Sequence, residues 1–277
     1  MKNIVDTMQE IFSGNELYED EYINEADGLI YCKECHTPRQ TVVMIDGKVL
    51  KPKIRCRCRE AADEKEKAER AQREFLAEVS RMKSAGLQDT KLYDYCFAND
   101  SGINPEMRHA HTYVDNWQEM KKNGTGLLLW GNVGTGKSFF AGCIANALLE
   151  QAVPVLMTNF ARILNRLTDL RCDDRNGFIA SLNHYSLLII DDLGAERNSD
   201  FANEQVFNVI DSRYRSKKPL IVTTNLTIEE LKHPAELSRA RIYDRILERC
   251  IPLKINNWNI REMNAAANLE KAKELFI

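Results

Sequence analysis

No apolar run in the sequence approaches the roughly 20 residues needed to cross a membrane. An apolar signal core is also missing from Met1 to Phe12, where Asp6 and Glu10 interrupt the stretch. Strong net charge is lacking too: 38 Lys and Arg against 41 Asp and Glu leave −3. That balance excludes a surface coated with phosphate-binding cations, so any nucleic-acid contact must come from a local patch. These absences point to a cytoplasmic protein with no membrane contact. Without an export signal, the eight cysteines suit metal binding or free thiols better than disulfides. What is present, 277 residues of which 44% are hydrophobic, is enough for one large domain or two smaller ones.

The most informative stretch is Gly131-Asn132-Val133-Gly134-Thr135-Gly136-Lys137-Ser138. Its G-x-x-x-x-G-K-S spacing is that of a phosphate-binding loop. Glycines let the backbone curl so that successive N–H groups face phosphate oxygens. Lys137 then supplies charge to the β- and γ-phosphates, Ser138 can ligate Mg²⁺, and the following helix adds its positive end. The flanks agree. Gly126 to Trp130 reads as a buried strand, and the apolar segment from Phe139 to Leu149 reads as a helix.

Some fifty residues on, Leu187 to Ile190 forms another apolar strand that ends in Asp191 and Asp192. In a nucleoside triphosphate site Asp191 holds Mg²⁺, directly or through water, and Asp192 orients or deprotonates the attacking water. Leu220 to Thr224 is a further β-branched strand. It ends at Asn225, where a polar tip would sense the γ-phosphate or position water. Val153 to Met157 reads as a strand, followed by a helix capped by Thr158 or Asn159, with Arg162 and Arg166 one turn apart. Glu204 to Ser216 reads as a helix, and so does the stretch from Asn104-Pro105 to Lys122. Leu92 to Phe97 is an aromatic cluster, suited to core packing or to stacking on adenine. Arg241, Arg245 and Arg249 recur at i+4 spacing with Asp244 and Glu248 among them. This is either an internally paired face or the source of a cation for a neighbouring subunit's γ-phosphate.

The first 59 residues have a different character. Met1 to Asp27 is acidic and reads as a solvated lead-in. Cys32-x-x-Cys35 and Cys56-x-Cys58 flank two β-rich runs, Thr41 to Ile45 and Lys48 to Leu50, joined by Asp46-Gly47. A hairpin there brings four thiolates together as a structural Zn²⁺ site, with His36 as a substitute ligand. The basic run of Lys48, Lys51, Lys53, Arg55, Arg57 and Arg59 suits nucleic acid, a solvated strand face, or pairing with the acidic lead-in. Glu60 to Lys83 lacks Gly and Pro and reads as a charged connecting helix ended by Ala85-Gly86. The expected division is therefore a zinc-ribbon-like module over 1–59, a connecting helix over 60–88, and an α/β ATPase domain over 89–277.

Taken in order, Gly131 to Ser138, Leu188 to Glu196, Arg213-Tyr214, Ile221 to Leu226 and Arg241 to Ile246 resemble the AAA+ loaders of replicative helicases in bacteria and their phages, the DnaC/DnaI type. The resemblance spans about residues 90–262. It implies a compact AAA+ P-loop domain, a parallel sheet flanked by helices with little or no lid, and ATP-driven self-association. The loop from Gly131 through Phe139 would bind ATP, and Asn225 would be sensor 1. Arg245 would be the finger acting on a neighbour, and Arg261, within Trp258 to Arg261, would be sensor 2. Asp192 stands where many such proteins carry Glu, which implies slow hydrolysis. The helix with Arg162 and Arg166 corresponds to one that approaches single-stranded DNA. The implied partner is a hexameric replicative helicase, gripped by the N-terminal module. Two rival readings are an IstB-type ATPase helper of a transposase and an ATP-gated binding module that hardly hydrolyses.

Overall fold

In the computed structural model of the chain, residues 17–169, 174–196, 199–256 and 259–276 are described. The first sixteen residues, including Asp6, Glu10 and Glu16, and Trp258 of the late motif lie outside them. The chain forms two compact units, residues 1–76 and 77–277.

In the first unit, strands β1 (Glu21–Ile23) and β2 (Ile30–Cys32) form an antiparallel hairpin, as do β3 (Val43–Ile45) and β4 (Lys48–Leu50). Asp46 and Gly47 take φ of 49° and 76°, as expected of the two central residues of a tight hairpin turn. The acidic lead-in differs from the expectation over the residues described. Glu21 is buried and paired with Arg39 at 3.3 Å and Lys53 at 3.4 Å. Within the basic run, one residue, Lys53, pairs with the acidic lead-in. Besides the Lys53 pair, Arg55 and Arg59 both reach Asp63, at 3.1 and 3.6 Å. Helix α1 runs Arg57–Gly86, starting earlier than Glu60, so that Cys58 sits in its first turn. The division between the units falls inside this helix.

The second unit holds α2 (Met107–Asp115), α3 (Trp117–Asn123), β5 (Gly126–Trp130), α4 (Lys137–Glu150), β6 (Val155–Asn159), α5 (Phe160–Thr168), α6 (Arg175–Ser181) and β7 (Leu187–Leu193). It continues with α7 (Asp200–Arg215), β8 (Leu220–Thr224), α8 (Ile228–Lys232), α9 (Leu237–Arg249), β9 (Cys250–Lys254) and α10 (Ile260–Phe276). The strands form a parallel sheet in the order β6-β7-β8-β5-β9. Its central strands are near-continuous apolar runs because both faces are covered. Leu127, Leu129, Met157, Ile189 and Ile221 pack with α4 on one face. Leu128, Leu156, Leu188, Ile190 and Val222 pack with α5, α7 and α9 on the other.

Two helices depart from the sequence reading, and one strand has no counterpart in it. The single helix expected from Pro105 to Lys122 is two, α2 and α3, because the chain breaks at Asn116, whose side chain turns back to the Thr112 carbonyl at 2.8 Å. Helix α7 begins four residues before Glu204, at a Ser199 cap. Strand β9 carries Pro252, which is tolerated because β9 sits at the sheet edge. Arg213 is fully buried and donates to the Tyr185, Ser186 and Pro219 carbonyls, tying the starts of β7 and β8 together. Burial lowers its pKa to about 10. No helix among the described residues is long and apolar enough to cross a membrane.

Candidate functional site

The loop between β5 and α4 wraps over the C-terminal edge of the sheet, where open α/β folds place ligands. Gly131 has φ of 145°, and a side chain there would lie 2.5 Å from the Ile255 carbonyl oxygen. Gly136, at φ 94°, caps α4, so that the helix N-terminus points into the loop. The Lys137 ammonium donates to Gly131 O at 2.9 Å, Asn132 O at 2.7 Å and Asn225 Oδ1 at 2.8 Å. All three of its protons are thus in use. Burial lowers its pKa below the usual lysine range, against the pull of the Asp192 and Asp191 charges.

These groups open onto a cavity of about 420 Å³. Gly134, Gly136, Lys137, Ser138, Phe139, Asp192, Asn225 and Arg261 all line it, and its volume suits a nucleotide-sized ligand. Asp191 is not among the residues that line it. Its Oδ1 accepts from the Ser138 hydroxyl at 2.9 Å, and the residue also borders a smaller hollow of about 80 Å³ beside Gln88 and Arg162. Burial raises the Asp191 pKa, while the Thr223 and Ser138 hydroxyls oppose the rise. A lysine ammonium, a hydroxyl and two carboxylates around a glycine-rich loop form a donor set that fits a triphosphate with its Mg²⁺.

Part of the wall had no sequence signature. Lys91, Tyr95, Asn99, Asp100, Ser101, Ile103 and Asn104 close the cavity from the segment before α2. Only Tyr95 belonged to the aromatic cluster noted in the sequence. Its ring meets Phe139 edge-on at 5.5 Å and rests over Gly142 of α4, where a β-carbon would lie 2.5 Å from the Tyr95 Cβ. At the far end of the chain, Ile260 N donates to Gly134 O at 2.9 Å. That bond docks the start of α10 on the loop and brings Arg261 to the cavity.

Arg245 lies elsewhere. It pairs with Asp211 at 2.9 Å, donates to Arg241 O, and stacks over Phe207 with its carbon 4.7 Å from the ring centre. Arg162 donates to Gln88 O at 3.0 Å, and Arg166 pairs with Asp169 at 3.6 Å. Asn159, not Thr158, caps their helix by accepting from Arg162 N.

In the first unit, the sulfurs of Cys32, Cys35, Cys56 and Cys58 all lie within 4.8 Å of one another. Cys56 to Cys58 measures 3.3 Å and Cys32 to Cys58 3.5 Å, close to the ~3.8 Å between sulfurs around a tetrahedral zinc ion. The Thr37 hydroxyl lowers the Cys35 pKa, whereas Cys56 and Cys32 push the Cys58 thiol up. Four sulfur donors gathered at this spacing fit zinc. Arg39 donates to the Cys56 and Cys32 sulfurs at 3.3 and 3.4 Å, a supporting contact with no sequence signal. His36 is not among the clustered ligands; its Nδ1 lies 3.4 Å from the Tyr22 hydroxyl.

Comparison with known proteins gives four findings. The profile of the family described as IstB-like ATP binding protein matches residues 59–267. The replicative helicase loader DnaI of Bacillus subtilis is 25% identical over 271 residues, covering 89% of this chain and 82% of that protein. The replicative helicase loader DnaC of Escherichia coli K12 is 29% identical over 140 residues, and the match spans only about half of each, 50% and 55%. Among solved structures, a crystal structure of DnaI superposes with a TM-score of 0.52 at 21% identity, covering 61% of this chain and 94% of that one.

Proposed function

This chain belongs to the IstB-like ATP binding protein family, and from that premise we propose that it is an ATP-dependent loader of a replicative DNA helicase onto single-stranded DNA. One observation carries the choice over a transposase helper: the extent of the DnaI match. Only 11% of this chain, about 30 residues, falls outside it, so it must include much of the cysteine-bearing segment that the family profile leaves out. The likeness to a loader thus extends beyond the ATPase core that the two groups share.

The proposed chemistry assigns each residue of the cavity a task. Lys137 exchanges its main-chain partners for β- and γ-phosphate oxygens, and main-chain amides from Gly134 to Ser138 cradle the phosphates. Ser138 and Asp191 would hold Mg²⁺, which when bound neutralises charge between the β- and γ-phosphates. Asp192 orients the attacking water and accepts its proton, and Asn225 reads the γ-phosphate. Arg261 acts on the same nucleotide, and Arg245 on that of a neighbouring copy. Asp192 has one methylene less than Glu, so turnover is slow and ATP serves as a timing switch. The zinc module grips the hexameric helicase, and Arg162 and Arg166 meet DNA phosphates. The test is affinity capture from the host with this chain as bait, followed by a helicase-loading assay on single-stranded DNA. Recovery of a transposase without a hexameric helicase would defeat the proposal.

A further inference from the structure

Strands β7 and β8 pair in register at Ile190 with Val222 and again at Leu193 with Thr224. Two residues of β7, Asp191 and Asp192, therefore stand opposite one residue of β8, Thr223. This is a β-bulge, which commonly re-aims a side chain beside a functional site. Asp192 carries the strain of it, with φ of 56° in the left-handed region that non-glycine residues rarely adopt. In a regular strand the two carboxylates would point to opposite faces. Here Asp191 reaches Ser138 and Asp192 lines the same cavity as Ser138.

One hydroxyl touches both aspartates. Thr223 is fully buried, and its Oγ1 donates to Asp191 Oδ1 at 2.6 Å while accepting from Asp192 N at 2.9 Å. The bulge costs Asp192 its ladder bond, and the Thr223 hydroxyl replaces that bond. Because one oxygen makes both contacts, the Asp191 carboxylate and the Asp192 backbone cannot shift independently. We infer that Thr223 is a positioning residue that couples the metal-ligating carboxylate to the water-orienting one across the bulge. It touches neither nucleotide nor metal and acts through the two aspartates. This role rests on the nucleotide-site reading given above.

The test uses the full chain and compares Thr223→Val, Thr223→Ala and Thr223→Ser. A fluorescent ATP analogue is titrated in EDTA and again across a Mg²⁺ series, with phosphate release measured alongside. Outer-shell partners of metal ligands typically tune affinity by about 10- to 100-fold, so Thr223→Val is expected to raise the Mg²⁺ midpoint about tenfold or more. Nucleotide affinity in EDTA stays unchanged, and turnover falls in parallel with the midpoint shift. Thr223→Ser, which keeps the hydroxyl, restores both. Should Thr223→Val not fold, Thr223→Ala against Thr223→Ser carries the same comparison, since that pair differs only by the hydroxyl. Equal Mg²⁺ midpoints for hydroxyl-bearing and hydroxyl-free variants overturn the inference. Asp191→Asn separates the two levels. If it raises the midpoint while the Thr223 variants do not, only the role of Thr223 falls. If Asp191→Asn leaves the midpoint unmoved, the nucleotide-site reading falls and takes the inference with it.

Discussion

Lys137 Nζ lies 2.8 Å from Asn225 Oδ1, joining the loop after β5 to the tip of β8 across 88 positions of sequence. The ammonium is held by the oxygen atoms of its own chain, two of them main-chain carbonyls, in the place where phosphate oxygens would compete for it. Lys137→Ala is expected to weaken binding of an ATP analogue by at least ~100-fold, since two or more charged hydrogen bonds at about 1.5–3 kcal/mol each are lost. A fluorescence titration reads this directly, and near-normal affinity would remove the lysine from the site.

Asp191 carries a stability cost at neutral pH. Its pKa is raised by burial, so the folded state disfavours the ionised form. The cost is absent below the ordinary aspartate value of 3.8 and fully present above the raised one. At neutral pH, Asp191→Asn is therefore expected to raise the Tm of the metal-free protein while weakening Mg²⁺-dependent nucleotide binding. Raised stability should vanish in melts run below pH 3.8. A lower Tm at neutral pH would show that the hydrogen bonds from Ser138 and Thr223 outweigh the burial cost.

Asp192 can be probed by changing arm length and charge separately. Asp192→Asn should cut phosphate release by about 100-fold or more, the usual worth of a positioned base. Asp192→Glu, which restores the missing methylene, should turn over faster than the native chain. If Glu slows the reaction as much as Asn, the bulge has set the site for the shorter side chain.

Arg245→Ala should leave nucleotide affinity intact and reduce hydrolysis by at least ~1,000-fold at concentrations where the chain self-associates. Arg245 is also engaged with Asp211 and Phe207, so its loss should cost on the order of 1–2 kcal/mol of stability. Melting curves recorded beside the kinetics distinguish a cold, folded mutant from an unfolded one. Normal turnover in a well-folded, assembled Arg245→Ala protein would end the finger assignment.

Metal analysis of the purified chain should find about one zinc per chain, released by a strong chelator. Removal should unfold the small unit while the parallel sheet persists, because a segment with so little apolar core depends on its metal. Cys32→Ser should do the same. A zinc-free preparation whose Cys32→Ser variant keeps its near-native amide dispersion would contradict the site.

Local chemistry fixed much of this in advance. The Gly131 to Ser138 spacing sets its loop because backbone freedom and helix capping act within a few residues, and Asp46-Gly47 sets the β3–β4 turn for the same reason. The apolar runs at Leu127, Leu188 and Ile221 announce buried parallel strands, since strands covered on both faces need not alternate. Only the tertiary structure decided which distant groups meet. Nothing near Thr223 in sequence reveals that it faces two aspartates, because the bulge exists only once β7 and β8 are paired. The wall from Asn99 to Asn104 is mostly polar and unpatterned, and becomes part of the site only by lining the same cavity as Lys137 and Asn225. Glu21 reads as solvated until Arg39 and Lys53 are brought to it, and the spacing of Arg245 does not say that its partner is Asp211 of another helix. These contacts join residues tens of positions apart, and their energies depend on burial and geometry that no local window of sequence contains.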